Sequence, residues 1–219
     1  MISSVTGPTA ALAGIPAGLQ AQGAWAGRRQ LFVRFAAEAE TATMYTADAL
    51  ANELRRATSR STFHSIAIAG RDPLANVDYL RATFEKVGTA LPVMLDGDGQ
   101  RPAEIAALRG IVRLAQVTVE GSTAEAQLER AFESITVACG AGMEHAFVVC
   151  ADDRTTDANM LRAVERAHAA SAATVVVIHP GATTPVDRDR RWTTLFERAS
   201  ALHGDVRLAL RLPPPTGMR

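Results

Sequence analysis

From residue 30 to near the end of the chain, short β-rich apolar runs alternate with stretches whose apolar positions recur every three or four residues. QLFVRF (30–35) predicts a strand. Thr46 then offers a side-chain oxygen to cap a helix with Asp48 in its first turn and Leu50 and Leu54 on one face. FHSIAIA (63–69) predicts a second strand, followed after Pro73 by a helix through Tyr79, Leu80 and Phe84. LPVML (91–95) precedes a helix around Ile105 and Leu108, and VRLAQVTV (112–119) precedes one whose Leu128, Ala131, Phe132 and Ile135 share a face. MEHAFVVC (143–150) and TVVVIH (174–179) lead into helices carrying Met160, Leu161 and Val164, then Trp192, Leu195, Phe196 and Ala199. VRLALRL (206–212) closes the pattern, and Pro213 to Pro215 stop it.

Strands alternating with helices of this length imply parallel βαβ units. Six or seven units are too few for a closed eight-stranded barrel, which leaves an open, partial (βα)6 barrel with outer helices or a doubly wound sheet. No repeat or linker divides the pattern, so the expected organisation is an N-terminal extension over 1–29 and a single domain over 30–219. In parallel α/β architectures ligands bind at the carboxyl ends of the strands. The residues there are Glu38 and Glu40; Arg71 and Asp72; Asp96 and Asp98; Glu120; Asp152, Asp153 and Arg154; and His179. Any one of them is also an ordinary exposed loop residue; the collection is a mouth rich in carboxylates. His64 and His145 begin strands on the opposite edge, and His168 sits near a helix's apolar face, which assigns all three to structure.

Composition narrows the classes. The 219 residues are 47% apolar, enough to build a core, and the formal net charge is zero, so nothing draws the chain to nucleic acid or an anionic membrane surface. No run approaches the roughly 20 apolar residues of a membrane span. Residues 1–27 carry no charged side chain, but they lack a basic n-region and are interrupted by Pro8, Gly14, Pro16 and Gly18, so no signal peptide is expected. A cytoplasmic protein is the expectation. The two cysteines, Cys139 and Cys150, make neither a disulfide framework nor a metal cluster and are read as buried thiols.

The run from Gln20 to Ala36, QAQGAWAGRRQLFVRFA, resembles the entry to radical S-adenosylmethionine enzymes of the 7-carboxy-7-deazaguanine synthase type. Gly7-Pro8-Thr9 is similar to that family's GPT. Gln20, Gln22 and Gly23 stand where the family has Gln, Glu and Gly, and Ala26-Gly27-Arg28 and Phe32-Val33-Arg34 match its AGR and FVR without a gap. Ile68 to Leu74 resembles ITGGEPL, with Arg71 for the second glycine and Asp72 for the glutamate. Leu95-Asp96-Gly97 takes the place of ETNG, and the ending from Ile178-His179-Pro180 to Gly217 resembles the synthase tail. The family's three cluster cysteines fall on Glu38, Ala42 and Tyr45. An iron–sulfur cluster needs thiolates, so no [4Fe–4S] cluster is expected and S-adenosylmethionine loses its anchor.

The resemblance implies a partial (βα)6 barrel and a homodimer, or a heteromer with a cluster-bearing homologue. It also implies that Arg34 meets a substrate carboxylate beside Gln20 and Gln22. The alternative for Arg34 is a structural ion pair with Glu38 or Glu120. Three functions follow from the altered motifs. The first is a catalytically silent binding or partner subunit. The second is an enzyme with a divalent-metal site, Mg²⁺ or Mn²⁺, on acids such as Glu38, Asp72 and Asp96, with Glu120 nearby and His179 as acid or base. The third is a protein that binds a purine- or pterin-like heterocycle through Gln20, Gln22, Arg34, Arg71, Asp72, Asp96, Glu120 and His179.

Overall fold

The structure, a computed structural model, describes residues 7–181 and 190–209. Three strands come first: β1 (Thr9–Gly14), β2 (Ala17–Leu19) and β3 (Arg29–Phe35). Strand β4 (Thr43–Thr46) leads into helix α1 (Ala47–Arg60). Thr46 ends that strand and caps the helix, its Oγ1 accepting from the Ala49 N–H at 3.1 Å. Then follow β5 (Ser65–Gly70), α2 (Val77–Val87), β6 (Val93–Gly97), the single turn α3 (Pro102–Ile105), β7 (Val112–Glu120) and α4 (Glu125–Gly140). The chain continues through β8 (Glu144–Cys150), α5 (Asp157–Ala170), β9 (Val175–His179), α6 (Arg190–Leu202) and β10 (Val206–Leu208). The sequence pattern locates the strand and helix cores well. The third helix is the shortest match: α3 and a 3₁₀ turn over Ala106–Leu108 bury Ile105 and Leu108.

The ten strands of the described residues lie in one sheet, in the order β10-β9-β8-β7-β6-β5-β3-β1-β4, with β2 also on β3. The seven from β3 to β10 run parallel, whereas β1 pairs antiparallel with both β3 and β4, and β2 antiparallel with β3. The expected partial (βα)6 barrel is therefore corrected. The sheet is mixed and open, running from β10 at one edge to β4 at the other. Residues 9–19, assigned by the sequence to an extension, are strands of this same sheet. The residues from Pro213 to Pro215 and Gly217 lie outside the described residues.

The doubly wound alternative fails for a different reason. Parallel strands that are neighbours in sequence order, joined by crossovers of one hand, put every helix on one face of the sheet. Here Leu31, Val33, Ile66, Ile68, Val93 and Leu95 pack against Leu50, Leu54, Leu80 and Ile105. Further along, Val117, Val119, Phe147, Val149, Val176 and Ile178 pack against Ile135, Met160, Val164, Trp192 and Leu195. The alternate residues point to the other face, where no described helix packs. Ala67, Met94, Leu114 and Ala146 are buried there beneath Ala24 and Trp25. Among the described residues no helix is long and apolar enough to cross a membrane.

Candidate functional site

The segment from Gln20 to Arg28 straps that helix-free face. Its neck is closed by two backbone bonds, Gln20 N–H to Arg28 C=O at 2.9 Å and Gly27 N–H to Gln20 C=O at 2.8 Å. Its middle is pinned to the sheet by Gln116, whose Oε1 accepts from the Ala24 N–H at 3.0 Å. Gly23, at φ 94°, passes so close to this amide that a Cβ there would lie 1.8 Å from Gln116 Oε1. The strap's glycine thus answers a backbone approach to the sheet.

Because side chains alternate across a strand, residues at even positions of β6 and β7 share the strap's face. Asp96, paired in register with Gln116, is the last residue of β6 but one, and Thr118 lies two residues beyond Gln116 on the same face. Thr118 Oγ1 donates to Asp96 Oδ1 at 3.0 Å, and Gln20 Nε2 lies 3.4 Å from Oδ2. The Gln116 amide nitrogen faces the same carboxyl without completing a hydrogen bond. Burial pushes the Asp96 carboxyl above the ordinary carboxylate range, against the opposing pull of these neutral donors.

Asp96 opens into a cavity of about 220 Å³ at the carboxyl ends of β5, β6 and β7, walled also by Gln22, Gly70, Arg71, Asp72, Pro73, Gly97, Asp98 and Thr118. Asp72, at φ 43°, is the one described non-glycine residue in the left-handed region. It is clamped by Arg101, which donates through Nε to Oδ1 at 2.7 Å and through Nη2 to Oδ2 at 2.8 Å. That fork holds the Asp72 carboxyl below its usual range. The loops after β5 and β6 are thereby tied together at the cavity rim.

The predicted residues divide. Gln22, Arg71, Asp72 and Asp96 line one cavity, and Gln20 bonds to Asp96. Arg34 does not join them: it is exposed and pairs with Glu40 at 3.1 Å, neither with Glu38 nor with Glu120. Glu120 is exposed and borders a separate hollow of about 80 Å³ between α4 and α5. His179 ends β9 beside Cys150 in register. Glu38 lies exposed on the turn after β3. Among the described residues no three His, Cys, Asp or Glu side chains gather closely enough to hold a metal ion. Glu38, Asp72 and Asp96, expected as a possible Mg²⁺ site, do not form such a group there, and Asp72 is engaged by the Arg101 guanidinium. Sequence reasoning missed Gln116, Thr118 and Arg101. For Gln116 a signal was present, a lone amide in the middle of an apolar strand.

Beyond the end of β8, Asp152 accepts from the Ser122 hydroxyl, from Thr155 Oγ1 at 2.8 Å and from the Arg154 N–H at 2.9 Å. These bonds, the Ser122 one foremost, pull its carboxyl down to about 2 and join the loops after β7 and β8. His145 is structural, as expected: it is buried, with Nδ1 2.9 Å from Met143 C=O and Nε2 2.8 Å from Ser171 Oγ. His168 instead reaches His203, the two Nδ1 atoms 3.0 Å apart.

The cysteines differ from expectation in one case. Cys150 is half-buried, its Sγ 3.7 Å from Gln22 Oε1, but Cys139 is exposed near the end of α4. Burial, then the charges of Asp96 and Glu120, push the Cys150 thiol up to about 11. With the thiolate as the reactive form, iodoacetamide at pH 8 is expected to label Cys139 fast and Cys150 at least about tenfold more slowly. Peptide mass spectrometry over time measures the two rates. Equal rates would mean that Cys150 is not held in this environment.

No family model matches the chain, and no curated protein does. Among solved structures, the apo form of 3-keto-D-glucoside 4-epimerase from E. coli is similar at 13% identity, over 76% of this chain and 89% of that one, with a TM-score of 0.32. A likeness at that level assigns neither fold nor activity to this chain. The resemblance to radical S-adenosylmethionine enzymes is corrected: no family model matches the chain, and the mixed, open sheet is not the partial barrel that the resemblance implies. The position of the missing cysteines agrees with the correction: Tyr45 lies in β4, in register with Ala10 of β1, so a sheet edge occupies the place of a cluster loop. The silent partner subunit inferred from that family falls with it.

Proposed function

We propose that this protein binds a small polar molecule in the cavity at the carboxyl ends of β5, β6 and β7, with Asp96 as the group that recognises it. The observation that carries this reading is Asp96 itself. Its carboxyl is half-buried, held among the described residues by neutral donors alone, and turned into a cavity. Leaving a carboxylate short of water and of an ionic partner costs stability. A bound molecule that hydrogen-bonds to it offsets the cost. The cavity volume, about 220 Å³, falls below the roughly 300–1000 Å³ of drug-sized sites, so the ligand is small. Arg71 and Asp98 at the rim and the Gln22 amide on the wall supply further polar contacts.

Two measurements test this. In a thermal-shift screen of small polar metabolites, a genuine ligand at about 100 times its dissociation constant adds about 2.7 kcal/mol and raises Tm by roughly 5–10 °C. That shift is expected to disappear in Asp96→Asn. A screen whose hits stabilise wild type and variant alike would place the ligand elsewhere.

The second concerns stability without ligand. The folded protein holds the Asp96 proton more tightly than the unfolded chain, so this group costs most above its folded pKa. The cost fades as the pH falls through and below the ordinary carboxylate range. Asp96→Asn is therefore expected to raise Tm at pH 7.5, by an amount that shrinks toward pH 4. A variant less stable than wild type at pH 7.5 would contradict the assigned burial of Asp96.

A further inference from the structure

We infer, resting on the reading above, that the group Asp96 recognises is a protonated amine or amidine, so that the cavity takes a small organic cation. The acids that pair in this protein show what Asp96 lacks. Asp72 has Arg101, Glu40 has Arg34, and Asp205 has Arg207, each with a guanidinium within 3.1 Å. Asp96 is half-buried, as Asp72 is, yet among the described residues it makes no ion pair. Its two partners there are a hydroxyl and an amide, and the amide contact is long at 3.4 Å. An ionised carboxylate offers about four lone-pair positions. Thr118 and Gln20 leave Oδ1 and Oδ2 with capacity on the side where the cavity opens.

The charge of the walls points the same way. Among the described residues Arg71 is the one cation lining the cavity, against Asp72, Asp96 and Asp98. Arg101 from outside the wall cancels Asp72, which leaves two acids facing one arginine. A confined space of net negative charge attracts a cation more strongly than open solvent does. A bare divalent metal does not fit the same geometry, because it requires several oxygens converging at about 2.0–2.6 Å and no such group forms among the described residues. An ammonium or amidinium needs only one carboxylate and a few neutral acceptors, and the Gln22 side chain on the wall provides one.

The test uses the full chain and matched probes: putrescine and benzamidine as cations, 1,4-butanediol and benzamide as their neutral counterparts. Affinities come from calorimetry, and the site from amide shifts of labelled wild-type protein around residues 70–73 and 96–98. The expected result is that at least one cation binds about tenfold or more tightly than its neutral counterpart, with shifts confined to those segments. Asp96→Asn is expected to lose about tenfold in that affinity, and Glu53→Gln, on the exposed side of α1, to change nothing. If the neutral probes bind equally well and depend on Asp96, the cavity is a ligand site but its ligand is not a cation, and this inference is overturned alone. Cations that bind wild type and Asp96→Asn alike would reduce the effect to surface charge and overturn it too. If no probe shifts residues 70–73 or 96–98 at millimolar concentration, both this inference and the reading it rests on fail. The wild-type shift map decides the matter even if Asp96→Asn does not fold.

Discussion

Gly70→Ala is expected to lower the melting temperature by roughly 10 °C, a loss of about 3–5 kcal/mol. Gly70 ends β5 at φ 99°, in register with Phe35 of β3. A Cβ there would lie 2.3 Å from the Phe35 carbonyl oxygen and 2.7 Å from its nitrogen. Both are backbone atoms inside a parallel pair, so no rotamer change relieves the overlap. The same carbonyl accepts from the Arg71 N–H at 3.1 Å, a bond that starts the loop carrying Arg71 and Asp72 over the cavity. Separation of the two strand ends would therefore disturb the site along with the fold. Gly88→Ala is the matched control. Gly88 also has a positive φ, 61°, but a Cβ there meets nothing within 4 Å. It is expected to cost about 1 kcal/mol, the strain of the left-handed conformation alone. Thermal unfolding of both variants by circular dichroism separates the terms, and equal losses would show that the approach to Phe35 is not the cause.

Gly23→Ala is expected to detach the strap while leaving the helix-covered face intact. Its Cβ would fall 1.8 Å from Gln116 Oε1 and 2.4 Å from Cδ, and Gln116 is only 1% exposed, so the amide has nowhere to move. Either Gln116 or the strap must leave, and either event breaks the bond to the Ala24 N–H. The strap lies at one edge of the core, so the damage stays local. Hydrogen exchange over residues 20–28 is expected to speed up by about tenfold or more, with α1 and α5 unchanged, and Asp96 to lose its contact with Gln20. Gly27→Ala, at φ 76° with open space around the added carbon, is expected to leave exchange nearly as it was. Uniformly faster exchange throughout the chain in Gly23→Ala would instead make the strap part of the cooperative core.

The two glycines also explain where the family resemblance misled. Gln20 to Ala36 contains a turn with two glycines followed by an apolar strand, and such a combination serves a cofactor loop or a tight strap equally well. In this fold Gly23 is required by the approach to Gln116, and Arg28 closes the strap's neck through its carbonyl. The Arg34 guanidinium finds Glu40 six residues away instead of a ligand. Short motifs report local backbone demands, and several architectures share those demands.

Local periodicity determined the helices and the parallel strands of this protein, because burying one face of a helix or both faces of an inner strand leaves a signature within a few residues. The capping role of Thr46 and the placing of Asp72 and Asp96 at strand ends were legible for the same reason. β1, β2 and β4 were not legible. They are short edge or near-edge strands whose order depends on partners elsewhere in the chain, as in the pairing of Ala10 with Tyr45. Only the tertiary structure decided which face stays free of helices, that the sheet remains open, and which charges find partners. Arg101 reaches Asp72 from 29 residues away and Thr118 reaches Asp96 from 22, while no cation reaches Asp96 among the described residues. Ion pairing and burial are set by distance in space, and the sequence holds no local record of that distance.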